Sequence, residues 1–328
     1  MIGNDHFRST LFDQDRVFHT GAAIPSLEIA QLFESLNYSN SRRLRRQPAT
    51  QTCQASYDDI DLTDAFTAGW PAIDQRPRNT CIAFAVASCV EAALARERGT
   101  VERLSPEFLY WCMRNKPEYE PDPLPPQYDE GATKLSQAAG VLSDLGICSE
   151  ALAPYQREST FSETPPSEAA FEDALLRRCE AVQYWDRSHD SAESISKAQI
   201  IYHELLEGRA VAIGIPIFEF TGHFGIDNWA EQTALSTGTV YGPTDSEDDQ
   251  LDKVIVSAHA VCVVGFLSDQ EAPDGGWFVF RNSWDRDFGK HANRFPDSPK
   301  LPGVGYGMIS FRHVDDFCWE FLSLRMAD

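Results

Sequence analysis

KVIVSAHAVCVVGF at residues 253–266 and GGWFVFRNSW at 275–284 are two apolar runs rich in β-branched and aromatic residues. A turn-rich connection, SDQEAPDGG (268–276), lies between them. Runs of this kind bounded by Gly, Pro and Asp read as strands, and the short polar link makes them an antiparallel hairpin. With the turn centred near Glu271, His259 lies 12 residues before it and Asn282 lies 11 after it. The two side chains then become near cross-strand neighbours at one end of the hairpin. An Asn carbonyl can accept from an imidazole N–H and hold the ring, leaving the other ring nitrogen for a thiol. That is an orienter–base–nucleophile arrangement. Alone, His259 reads as a satisfied core histidine and Asn282 as a turn residue; the pairing gives them a chemical meaning.

Working outward, RAVAIGIPIF (209–218) and VGYGMISF (304–311) read as further strands. The first half has a different texture. CIAFAVASCVEAALARER runs from Cys81 into Gly99, which reads as a buried helix with a glycine stop. Ser105–Pro106 reads as an N-cap and first-turn proline opening PEFLYWCMR, and LSQAAGVLSDLG gives a helix over about 135–145. PEYEPDPLPPQYDEG (117–131) carries too many prolines for regular structure and reads as a surface loop. Helices followed by strands predict an α+β fold of two lobes with a cleft between them. The expected organisation is an extension over 1–58, a helical lobe over 59–180 and a β lobe over 181–328. Within the extension, SLEIAQLFESL (26–36) has its apolar residues at helical spacing, with the basic cluster Arg42, Arg43, Arg45 and Arg46 after it.

Composition limits the function. Lys plus Arg is 28 and Asp plus Glu is 50, a formal charge of −22 over 328 residues. Such a chain repels phosphate backbones and anionic lipid, so neither nucleic acid nor a membrane surface is the expected partner. No run approaches the ~18–20 apolar residues of a membrane span. The N-terminus MIGNDHFRST has no apolar core of a secretory signal, so a cytoplasmic location is expected, with signal-independent export as the alternative route out. Eight cysteines (53, 81, 89, 112, 148, 179, 262 and 318) are scattered without CxxC pairs, which predicts no metal site and, in a reducing compartment, no disulfides. No cofactor is expected.

Cys81 stands out by position. It opens the apolar helix behind RPRNT, with Asn79 and Thr80 as cap-type residues. Backbone N–H groups and the macrodipole at a helix start lower a thiol's pKa. A cysteine heading a buried Ala-rich helix is by itself ordinary core, so it is His259 and Asn282 that change its reading. Gln75, six residues earlier, can supply an amide donor beside the Cys81 N–H for an oxyanion.

These residues carry a resemblance. QRPRNTCIAF resembles the nucleophile segment of papain-like cysteine peptidases, SAHAVCVVGF their histidine strand, FRNSW their Asn-Ser-Trp motif and GVGYGMISF the strand that follows. LSPEFLYWC is similar to the family's next helix, and DEGATKLSQAAGVLSDLGICSEALAPY to the Gly-Gly turn, helix and Pro-Tyr stretch of bacterial members. The resemblance covers about residues 60–313 in order. It implies a papain-like two-lobed fold and peptide or protein substrates cleaved through an acyl-enzyme on Cys81. His259 would be base and acid, Asn282 the orienter and Gln75 an oxyanion donor. Trp284 would cover the His–Asn bond, and Gly131 would pair with substrate backbone. Arg78 stands where the family has a disulfide cysteine, and Ile82, Asn79 and Asp285 replace a usual Trp, Gly and Gly. The same thioester also serves acyl transfer to an amine (transpeptidation) or protein deamidation, and a binding module that kept the fold is the non-enzymatic alternative.

Overall fold

The computed structural model describes residues 11–13, 16–18, 57–66, 73–119, 131–157, 164–186, 196–220, 227–243, 253–285, 288–291 and 301–327. The 26–36 stretch, the Arg42–Arg46 cluster, Cys53 and the acidic run Asp245–Asp249 lie outside them. Near the N-terminus β1 (Leu11–Asp13) pairs with β2 (Arg16–Phe18). The body runs β3 (Ile60–Asp61), α1 (Cys81–Arg98), α2 (Pro106–Asn115), α3 (Leu135–Asp144), α4 (Glu168–Ala174) and β4 (Cys179–Asp186). It continues with α5 (Lys197–Leu206), β5 (Val211–Phe220), α6 (Gln232–Thr237), β6 (Thr239–Val240), β7 (Lys253–Ser268), β8 (Gly276–Arg281), β9 (Tyr306–Ser310), α7 (Phe311–Phe317) and β10 (Glu320–Met326).

Each expected helix of the first half forms for a local reason. Every residue of α1 from Cys81 to Leu94 is buried, as its all-round apolar sequence requires. It ends where Gly99 turns left-handed at φ 64° and its N–H reaches the Ala95 carbonyl at 3.0 Å. α2 starts as read, with the Ser105 hydroxyl accepting from the Phe108 N–H at 2.9 Å and Pro106 in the first turn. At α3, Gln137 accepts the Lys134 N–H at 2.7 Å.

Beside the β1–β2 pair, the remaining strands form one sheet in the order β4-β10-β5-β7-β8-β9-β6, antiparallel except for the β6–β9 pair, with β3 on β7. The two faces of β5 and β7 differ in bulk. Ala212, Ala258, Ala260, Cys262 and Val264 lie in the buried cluster shared with α1, α2 and α3. Val211, Ile213, Ile215, Val261 and Val263 lie in a second cluster with α5. Small side chains on the first face let the thick helix α1 lie against β7, β10 and β5, while the branched face fills the space under α5. His259 shares the parity of Val261 and Val263, so it belongs to the second face. A bulge between Val263 and Gly265 then inverts the alternation and sends Phe266 to that same face. At the bulge a Cβ on Gly265 would stand 2.5 Å from the Ile60 carbonyl oxygen, so glycine is what lets β3 join.

The bulge also corrects the hairpin register. Cys262 faces Arg281, so continuing the ladder puts Asn282 across from Val261. His259 is therefore the diagonal same-face neighbour of Asn282 rather than its direct opposite, still within side-chain reach.

Candidate active site

Cys81 is the first residue of α1 and is fully buried. Thr80 is the N-cap position, but its side chain does not cap the helix as its residue type suggests. The Thr80 hydroxyl turns instead to Tyr155, 2.7 Å away. Because the Tyr155 hydroxyl gives its own proton to the Gln75 carbonyl at 2.7 Å, Thr80 is the donor of that pair.

The loop before Cys81 is held by a buried charge. Arg78 is 1% exposed and makes a two-pronged ion pair with Glu107 of α2, at 2.6 and 3.2 Å. It also donates to the Gln156 carbonyl at 2.9 Å and lies over the rings of Tyr155 and Tyr110, at 4.7 and 5.4 Å. Burial is the largest single influence and works against the guanidinium charge, yet the Glu107 bond and charge together with Tyr155 and Tyr110 outweigh it, and the pKa sits above its ordinary value. Where the resembled family has a disulfide cysteine, this chain anchors the loop by an ion pair.

From the other side, a chain of hydrogen bonds runs to the imidazole. The Gln75 N–H donates to the Ser283 carbonyl at 2.8 Å, and the Ser283 hydroxyl donates to Gln75 Oε1 at 2.5 Å. Gln75 Nε2 donates to the Arg78 carbonyl at 2.8 Å. The Ser283 N–H in turn donates to Asn282 Oδ1 at 2.8 Å, and His259 Nε2 lies 2.8 Å from that same oxygen. A backbone N–H only donates, so the Asn282 atom facing Ser283 must be its oxygen, and Nε2 must carry the proton. That leaves Nδ1, buried and without a hydrogen-bond partner among the described residues, as the basic nitrogen.

His259 is wrapped in aromatic surface. Trp284 tilts over it at 4.8 Å, and Trp229 meets it edge-on at 4.9 Å and 78°. Burial drives the imidazole down to about pKa 4, with the Asn282 bond pulling modestly upward. Beside this cluster Arg281, one residue before Asn282, donates to Ser88 at 2.9 Å and Glu91 at 3.0 Å, both on α1. Glu91 also accepts the Leu104 N–H at 3.1 Å. This group ties α1 to β8, and a small cavity lined by Ile73, Phe84, Ser88, Ala260, Asn282 and Ser283 lies within it.

Gln75, His259, Asn282 and Trp284 are thus joined in one buried cluster, and Cys81 heads the helix that Gln75's loop leads into. Gly131 has φ 84°, and its carbonyl accepts the Tyr110 hydroxyl at 2.9 Å. Three contributors escape the sequence reading. Trp229 lies between the expected strands at 209–218 and 253–266, Ser283 enters only within FRNSW, and Glu91 only within the helical run from Cys81. A carboxylate inside an otherwise apolar helix was the available signal, since it needs a buried partner. The described cysteines are all buried and none is disulfide-bonded. Among the described residues no group of three or more His, Cys, Asp or Glu is placed to hold a metal, and no helix is long and apolar enough to cross a membrane.

Comparison with known proteins shows the family and the fold. A model of papain family cysteine proteases matches residues 58–293. The crystal structure of xylellain, a cysteine protease from Xylella fastidiosa, aligns with a TM-score of 0.57 at 17% identity, covering 84% of this chain and 88% of its own. Procathepsin B S9 from Trypanosoma congolense gives 0.53 at 15% identity, over 94% and 87% of the two chains. Digestive procathepsin L 3 from the larval midgut of Tenebrio molitor gives 0.50 at 17%, over 91% and 79%. The papain-like α+β fold expected from the sequence is the fold these structures share. No curated protein matches the chain.

Proposed function

The chain belongs to the papain family of cysteine proteases, and from that membership we propose that it hydrolyses peptide bonds through a thioester on Cys81. The observation that carries the reading is the hydrogen-bonded run Gln75–Ser283–Asn282–His259, which ends on a basic Nδ1 with no hydrogen-bond partner among the described residues. Cys81 supplies the sulfur, at a helix start with no side-chain cap. A buried imidazole with a pKa near 4 holds a second proton at neutral pH only against an anion, and the Cys81 thiolate is that anion. The pair is therefore a thiolate–imidazolium whose two charges support each other.

The sulfur attacks the scissile carbonyl carbon, and the new oxyanion takes the Cys81 N–H and the Gln75 side-chain amide as donors. Imidazolium gives its proton to the departing amine, leaving an acyl-enzyme and neutral His259. Neutral His259 then takes a proton from water, whose oxygen attacks the thioester; the carboxylic acid leaves and the thiolate–imidazolium is restored. Asn282 keeps the ring in the plane that serves both transfers. Trp284 keeps water from the Asn282 bond. The cytoplasmic setting belongs to the same proposal, and cell fractionation tests it.

The test is hydrolysis of a set of fluorogenic peptides by the parent chain and by Cys81→Ala, with product masses. Hydrolysis products that vanish in the variant support the reading. Products joined to an added amine, or a glutamine converted to glutamate, replace it with acyl transfer or deamidation.

A further inference from the structure

Trp229 is fully buried in the turn between β5 and α6, a region whose sequence reads as connection. The turn is built to hold it. Asp227 Oδ1 accepts the N–H groups of both Trp229 and Ala230, each at 2.9 Å. Asn228 pins the turn to the end of β5: its Oδ1 accepts the Phe218 N–H, its N–H donates to the Phe218 carbonyl, and its amide donates to the Tyr241 carbonyl, each at 2.9 Å. So fixed, the indole meets His259 edge-on at 4.9 Å, Phe280 at 5.4 Å and Trp284 at 6.0 Å, and stacks with Phe288 at 6.3 Å.

The indole N–H makes no hydrogen bond among the described residues, so the tryptophan is not there to satisfy a polar partner. What it supplies is breadth. Trp284 lies across one side of the imidazole, and Asn282 fixes only Nε2; a ring held at one atom and one side can still swing about its own Cβ bond. An edge-on contact at 78° blocks that swing, because rotation would drive the imidazole into the indole.

We propose that Trp229 is a positioning residue for His259, its indole completing with Trp284 and Asn282 a three-sided seat that aims Nδ1 and keeps the ring dry. This rests on the reading of His259 as base and acid. The titratable groups near the seat are Cys81 at the head of α1, which packs against β7, and Asp227 in the indole's own turn, whose carboxyl faces Glu219 and Glu231 and is held up at about 7 by burial and these two neighbours.

The experiment has two arms. In the first, Trp229→Ala and Trp229→Phe are assayed on one fluorogenic peptide. The Ala variant should lose roughly tenfold or more in kcat through ring misplacement, with KM within about twofold, and Phe should fall between Ala and the parent. In the second, the His259 ring is titrated by NMR in a Cys81→Ala background, where no thiolate supports its proton. The midpoint should lie near 4 with Trp229 and move toward 6.5 with Trp229→Ala as water reaches the ring. An unchanged kcat, or a drop restored equally by any residue of similar volume, overturns the proposal, as does an unmoved midpoint. Should Trp229→Ala fail to fold, Trp229→Leu replaces it: Leu fills volume without a ring, and wild-type kcat in that variant overturns the proposal. Peptide hydrolysis that survives Cys81→Ala defeats the catalytic reading instead, and the titration still reports the seat.

Discussion

Removing one side chain from the Arg78–Glu107 pair should cost more than any surface substitution. Arg78→Ala takes from the Glu107 carboxylate, itself 4% exposed, the guanidinium it pairs with at 2.6 Å. Breaking a buried pair from one side costs about 3–5 kcal/mol, because the surviving charge stays desolvated. An unfolding entropy of ~2.1 cal/mol/K per residue gives about 0.7 kcal/mol/K for a chain this long, so Tm should fall by about 4–7 °C. The guanidinium also fills the space between Tyr110 and Tyr155, which pushes the loss to the upper part of that range. Arg78→Met combined with Glu107→Leu removes both charges and keeps the volume, and should recover most of the loss. Differential scanning calorimetry at pH 7 reads all three proteins. Because the Arg78 carbonyl holds the Gln75 amide, Arg78→Ala should also lower kcat. A Tm within 1 °C of the parent (roughly 0.7 kcal/mol on the same scale), or a double variant as unstable as Arg78→Ala, refutes the reasoning.

Stability should fall as pH rises from mildly acid to alkaline. Burial lifts Asp227 and Glu150 to about 7 and Glu320 to about 8, so their stabilisation is full below about pH 4 and is lost as pH climbs through 7–8. Tm should therefore be higher at pH 5 than at pH 8.5, and a rising or flat curve contradicts this. Iodoacetamide at pH 5.5 should label Cys81 before Cys112, Cys148, Cys179 or Cys318, which burial pushes up to about 12 and keeps protonated; peptide mapping that finds Cys53 or Cys148 labelled first contradicts it. His259→Ala should cost roughly 100- to 10,000-fold in kcat/KM as a lost acid–base catalyst. Asn282→Ala should cost less, up to about 100-fold through misorientation, and equal losses would remove the orienter role.

Signals local to the chain were readable in the sequence. Gly99, Ser105 and Pro106 mark helix ends by their own backbone chemistry, and α1 ends and α2 begins where those residues say. The strand pair carrying His259 and Asn282 is legible from composition and a short connection. Its register is not, because the Val263–Gly265 bulge depends on β3 arriving from Ile60, some 200 residues earlier in the chain. The stranded reading of the second half passes over α5, although Ser196 caps it and Ala198, Ile201, Tyr202 and Leu205 are buried at helical spacing. Asn79 and Thr80 look like caps by type; the pull of Tyr155 on the Thr80 hydroxyl is a tertiary fact. Trp229 likewise gains its meaning only when its turn is folded beneath His259.

The most direct test of the account is the covalent target of a thiol-directed peptide epoxide, read by intact mass and peptide mapping. The account predicts one adduct per chain, on Cys81, with peptide hydrolysis lost in step with labelling. His259→Ala should slow the labelling, and Cys81→Ala should abolish it. An adduct on another cysteine, or hydrolysis that persists once Cys81 is fully modified, would contradict the assignment of Cys81 as the nucleophile.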